Sequence, residues 1–133
     1  MKRNYKLSKR SLRNLEGVSS ELVSVVKLAI TETDIDFVVI EGLRSPERQK
    51  ELFEAGFSQT LNSKHLTGKA VDLAPWVNNT IDWGDRESFK KVRDAVFLSA
   101  EKLNVKLLWG GDWGKYTEKE NPFFDAPHFE ILE

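Results

Sequence analysis

Leu22, Val25, Val26, Ala29 and Ile30 recur at i, i+3, i+4, i+7 and i+8, a spacing that gathers apolar side chains on one face of an α-helix. Ser19 or Ser20 stands where such a helix would be capped. The pattern then changes. Phe37-Val38-Val39-Ile40 is a short β-branched and aromatic run between a polar turn and Gly42, which predicts a buried strand in the centre of a sheet. Ser45-Pro46-Glu47 supplies a cap, a proline for the first helical position and an early acidic residue. A second helix is therefore expected from Pro46 to about Ala55, stopping at Gly56, with Arg44 at the strand-to-helix junction.

Beyond it, Lys69 to Ala74 alternates, Val71 and Leu73 on one face and Ala70 and Asp72 on the other, until Pro75; this is the period of a strand. Phe89, Val92, Val96, Ala100 and Leu103 form the stripe of a long helix over Asp85 to Asn104. Val105 to Trp109 and His128 to Leu132 complete the pattern as strands. Gly110 to Pro127 is irregular, too long for a hairpin turn, and so is suspected of function. No repeat or linker interrupts the chain. Runs of helix and strand in this mixed order are consistent with an α+β fold, and the length suits residues 1–133 as a single domain.

Composition narrows the function. Hydrophobic residues make up 40% and charged residues 31% of the 133 positions, which argues for a globular chain over a disordered one. Twenty Lys and Arg against 21 Asp and Glu leave a charge of -1, without the basic field of a nucleic-acid binder. No cysteine is present, so thiolate catalysis and every cysteine-containing metal site are excluded. Lys2, Arg3, Lys6, Lys9, Arg10 and Arg13 crowd the N-terminus, yet no apolar stretch of signal-peptide or membrane-spanning length follows. The basic run reads as an ordinary solvated face, and the expectation is a monomer made in the cytoplasm without stable membrane insertion.

The chain has only two histidines, His65 and His128, each at or just before a predicted strand and each with an aspartate nearby, Asp72 and Asp125. Two imidazoles and a carboxylate can form a three-ligand zinc site with a fourth position open, as catalytic zinc requires. The assignment is His65, Asp72 and His128, with Asp125 as the base that a hydrolytic site also needs. In a strand, His128 and Glu130 share one face and Phe129 and Ile131 the other, so the ligand can face a cleft without disturbing the core. On spacing alone the plainer reading prevails, that these residues are surface polar groups or hydrogen-bonded core groups. Trp109, Trp113, Phe123 and Phe124 could wall a groove or fill a core. The motif H-E-x-x-H is absent, which excludes a helix-borne zincin site.

The run Ser63-Lys64-His65-Leu66-Thr67-Gly68-Lys69-Ala70-Val71-Asp72 matches S-x-H-x-x-G-x-A-x-D at every fixed position. In this it resembles the LAS metallopeptidases, and Asp125-Ala126-Pro127-His128 resembles their second element, with Asp where many relatives have Glu. Glu41-Gly42-Leu43-Arg44, Ile81-Asp82-Trp83 and Gly111-Asp112-Trp113 extend the likeness to the bacteriophage L-alanyl-D-glutamate endopeptidases. The resemblance implies a hedgehog-like α+β peptidase fold, with a small antiparallel sheet carrying the zinc ligands and helices flanking it, and a zinc-dependent peptidoglycan hydrolase whose residues 1–133 form one catalytic domain. The bond cut would lie between L-Ala and D-Glu of the stem peptide, attacked by a zinc-activated water. It further implies zinc on His65, Asp72 and His128, Asp125 as acid/base, and Arg44 on the substrate carbonyl or a carboxylate. Gln49 and Ser63 look like substrate contacts or supports of the ligands, and Trp113 is a candidate groove wall. An endolysin role in host lysis follows, with the protein reaching the wall once a separate pore opens the membrane and with no appended wall-binding domain. A D-Ala-D-Ala carboxypeptidase or dipeptidase, and a non-catalytic zinc-containing binding module, are the alternatives.

Overall fold

A computed structural model describes residues 5–56, 63–110 and 126–132. Helix α1 (Lys9–Asn14) and helix α2 (Ser20–Glu32) lead into strand β1 (Phe37–Glu41), followed by helix α3 (Pro46–Glu54) and a 3₁₀ turn over Lys64–Thr67. Strand β2 (Ala70–Pro75), helix α4 (Arg86–Lys102), strand β3 (Leu107–Trp109) and strand β4 (His128–Ile131) complete the order. The strands form one antiparallel sheet in the order β1-β2-β4-β3. The expected α+β class and antiparallel sheet are thus present.

The two faces of the sheet divide the labour. Val39 lies opposite Leu73, Val71 opposite Phe129, and Trp109 opposite Phe129. All are buried, and they join the inner faces of α2 and α4 in one core. Phe97 of α4 meets Phe129 edge to face, with ring centroids 6.2 Å apart. Alternation then turns Asp72, His128 and Glu130 to the other face, where the site lies.

Three expectations are corrected. β1 is an edge strand, not a central one. Its burial has another cause: α1 covers the open edge, where the Val39 N–H donates to Ser11 Oγ at 3.0 Å and Asn14 Nδ2 donates to the Val39 carbonyl at 2.8 Å. A covered edge needs the same apolar residues as a central strand, and the side chains of α1 supply the partners that a fifth strand would. Ser19 occupies the cap position of α2 but makes no side-chain cap bond; its N–H instead donates to the Gly68 carbonyl at 2.8 Å. Leu103 lies outside the core at 41% exposure, because the helix ends at Lys102 and Leu103 is its C-cap. At the other end of α4, Asp85 accepts from the Ser88 N–H and hydroxyl as its N-cap. Lys9, Arg10 and Arg13 form the exposed side of α1, as the solvated reading expected. Among the described residues no helix is long and apolar enough to cross a membrane.

Candidate metal centre

The antiparallel register places Asp72 directly opposite His128. The pairing is enclosed by two backbone bonds, from Leu73 N–H to the Pro127 carbonyl and from Ile131 N–H to the Lys69 carbonyl, each 2.9 Å. His65 arrives from outside the sheet, on the 3₁₀ turn. Ser63 caps that turn by accepting from the His65 N–H. Gly68 ends it with φ of +74° in the left-handed region, and a Cβ there would lie 2.4 Å from the Gly17 carbonyl oxygen. The turn is tied to the β1–α3 junction by two bonds. The Arg44 N–H donates to the His65 carbonyl at 2.9 Å, and His65 Nδ1 lies 2.8 Å from the Gly42 carbonyl oxygen.

These bonds dictate the chemistry of both rings. A carbonyl only accepts, so His65 Nδ1 carries the proton and Nε2 of the neutral ring is a lone pair. That lone pair faces Asp72 Oδ1 at 3.2 Å. On the other side, His128 Nε2 lies 2.9 Å from Glu130 Oε1. The hydrogen bond from His128 holds the Glu130 carboxyl below its usual range against the opposing effect of burial, with Lys64 assisting. Glu130 is therefore an acceptor, His128 Nε2 the donor, and His128 Nδ1 the lone pair. It too faces Asp72 Oδ1, at 3.2 Å. Burial opposes ionisation of Asp72, yet protonation of either ring, which turns its facing nitrogen into a donor, supplies the hydrogen bonds and charge that hold the carboxyl well below the usual carboxylate range.

Three acceptors thus converge on one point, with His65 and His128 almost fully buried and Asp72 nearly so. A cation at that point, metal ion or proton, relieves the repulsion among them. The ligand atoms lie within 4.8 Å of one another. Two donors at zinc-bonding distance in a tetrahedral site stand roughly 3.4 Å apart, close to the 3.2 Å found here. The donor set fits a divalent metal of the zinc type. It is the His65, Asp72 and His128 set expected from the sequence.

Arg44 closes one side of the cluster. Its side chain is only 8% exposed, which sets it apart from a surface ion pair. Nε and Nη2 donate to the two Glu41 oxygens at 2.7 Å each, and Nη1 donates to Gln49 Oε1 at 2.6 Å. Nη2 also lies 3.7 Å from Asp72 Oδ2. A guanidinium held by such a fork has its direction fixed. Gln49 is fully buried against Arg44, and Ser63 is engaged by the backbone of the 3₁₀ turn. Trp109 belongs to the core, donating from Nε1 to the Ala126 carbonyl with Arg93 stacked on its ring. Asp125, Trp113, Phe123 and Phe124 lie outside the described residues.

Sequence reasoning missed Glu41, Gly42, Lys64 and Glu130 as parts of the site. Signals for two of them were present: Glu41 stands three residues before Arg44, and Glu130 shares the strand face of His128.

The family model described as phage L-alanyl-D-glutamate peptidase matches residues 3–132. The L-alanyl-D-glutamate peptidase of Escherichia phage T5 is 32% identical over 136 residues, covering 97% of this chain and 99% of that protein. Among solved structures, the L-Ala D-Glu endopeptidase ChiX of Serratia marcescens superposes with a TM-score of 0.83 at 37% identity, covering 96% of this chain and 90% of its own. The vancomycin resistance D,D-pentapeptidase VanY, at 13% identity and a TM-score of 0.57, shares the fold. A buried His-Asp-His cluster on a four-stranded antiparallel sheet, flanked by a fixed arginine, is thus set in a chain that belongs to the phage L-alanyl-D-glutamate peptidase family.

Proposed function

We propose that this chain is a zinc-dependent peptidase that hydrolyses the L-Ala–D-Glu bond of the peptidoglycan stem peptide. The observation that carries the reading is the convergence of two imidazole lone pairs and a carboxylate beside a pinned guanidinium, in a chain of this family. His65 Nε2, His128 Nδ1 and Asp72 would hold the metal, and imidazole with carboxylate suits zinc. When bound, zinc supplies Lewis acidity for amide hydrolysis.

The remaining work falls to the protein's own groups. Hydrolysis adds water across the amide: a C–O bond forms, the C–N bond breaks, and a proton passes from the water to the leaving D-Glu nitrogen. Asp125, three residues before His128, is assigned that proton transfer. Arg44, held by Glu41 and Gln49, stabilises the negative charge that develops on the carbonyl oxygen. Ser63 supports His65 by capping its turn, Gln49 acts on substrate through Arg44, and Trp113 is assigned to the groove wall. The role in the cell is lysis of the host wall after the membrane has been opened.

Digestion of purified peptidoglycan by the zinc-loaded protein, followed by mass spectrometry of the new termini, tests this. Free D-Glu amino ends are expected. Released D-Ala would replace the reading by a carboxypeptidase, and no cleavage with zinc bound would replace it by a binding module.

A further inference from the structure

Glu130 and Lys64 have no part in the hydrolysis described above, yet both are built into its metal site. We infer that Glu130 is a positioning residue for His128, fixing the imidazole with its proton on Nε2 so that Nδ1 faces the metal position, and that Lys64 holds Glu130 in place. The inference rests on the reading of His65, Asp72 and His128 as a metal site.

His128 and Glu130 are two residues apart on β4 and therefore on one face. Unaided, imidazole has two tautomers, and only the one with its proton on Nε2 leaves Nδ1 free to bind a cation. Glu130 Oε1, 2.9 Å from Nε2, selects that tautomer and fixes the plane of the ring. A carboxylate in this position also raises the basicity of the nitrogen facing the metal.

Glu130 is itself held. Its other oxygen, Oε2, lies 3.2 Å from Lys64 Nζ, and its side chain is only 15% exposed. Lys64 Nζ also donates to the Ile131 carbonyl, which anchors the ammonium to the backbone of β4. Lys64 directly precedes His65, so one lysine ties the turn carrying the first ligand to the strand carrying the last. An ordinary surface ion pair would have neither the buried imidazole at one end nor the backbone anchor at the other.

The experiment compares wild-type protein with Glu130→Ala, Glu130→Gln and Lys64→Met. Zinc affinity is measured by competition with a chromogenic chelator. The imidazole tautomers of the metal-free proteins are read from long-range proton–nitrogen correlations of ¹⁵N-histidine protein. With two histidines in the chain, the spectrum contains two ring systems. Glu130→Ala should weaken zinc binding roughly 10- to 100-fold, the range for removing such a partner, and release His128 from the Nε2–H tautomer while His65 keeps its own. Glu130→Gln, whose amide oxygen still accepts from Nε2, should retain the tautomer and lose less than about tenfold. Lys64→Met should fall between Glu130→Gln and wild type.

Wild-type zinc affinity and an unchanged His128 tautomer in Glu130→Ala would overturn the inference while leaving the metal reading intact. Should Glu130→Ala not fold, Glu130→Met, which keeps the bulk of the side chain without its acceptor, decides by the same two readouts. A wild-type protein that takes up no zinc would refute the metal reading and this inference with it.

Discussion

The two imidazoles of the site face one carboxylate and are held by opposite means. His65 sits on an irregular turn, its proton given to the backbone carbonyl of Gly42. His128 sits on a regular strand, its proton given to the side chain of Glu130. The first arrangement depends on chain path, and chain path there depends on close packing. A Cβ on Gly42 would stand 2.1 Å from the Asn14 carbonyl oxygen and 2.6 Å from Val18 Cγ2. The second depends on strand alternation and one carboxylate. A ligand on a strand obtains its direction from the sheet and needs only its tautomer set, whereas a ligand on a turn needs the surrounding loops locked as well.

The difference can be broken at its root. His65→Ala and His128→Ala should each abolish tight zinc binding, because a three-ligand site cannot spare an imidazole. Metal analysis after dialysis checks this, and stoichiometric zinc in either variant would show that the ligands are wrongly assigned.

Gly42→Ala separates the two sides more sharply. Forcing a methyl group against backbone should destabilise the fold by about 3 kcal/mol and weaken zinc binding together, by moving the carbonyl that orients His65. Denaturant unfolding monitored with and without zinc measures both. Full stability with weakened zinc binding would mean that packing and ligand orientation are not coupled on this side.

A smaller effect is expected one layer further out. Ser11→Ala removes the hydroxyl that receives the Val39 N–H on the covered edge of β1. Leaving a buried donor unpaired should cost about 1–3 kcal/mol, again by denaturant unfolding. Because Val39 lies opposite Leu73 and not opposite a ligand, zinc affinity should change little; a large loss would extend the coupling to α1.

The smallest effect concerns acid. The His128 hydrogen bond depresses the Glu130 carboxyl below its ordinary value of 4.5. A depressed carboxyl contributes stability that is present above its unfolded value and lost as pH falls through the folded one. Metal-free protein should therefore lose stability as pH drops below about 4.5, and Glu130→Gln should lose less over that window. Parallel curves of unfolding midpoint against pH would show that Glu130 does not contribute.

Much of the fold could be read directly. The apolar stripes of α2 and α4, the proline-started α3 and the alternation of β2 are local patterns, and local patterns survive without knowledge of neighbours. Helix α1 was not legible. Lys9-Arg10-Ser11-Leu12-Arg13-Asn14 has no apolar stripe, and such a short helix gains its stability from docking. In the site, His65, Asp72 and His128 were legible because a motif fixes their spacing, while Glu130 and Glu41 were not, because each acts on a group that only folding brings to it.

The sequence by itself determined which residues could bind a metal, since the chain has two histidines and no cysteine, and which strand face each ligand of β2 and β4 would occupy. Tertiary structure decided the remainder. The register that sets Asp72 against His128, the α1 side chains that cover the β1 edge and the carbonyl of Gly42 beneath His65 all join residues 23 or more positions apart. Hydrogen bonds of that reach depend on where the backbone travels, and local residue preference carries no information about it.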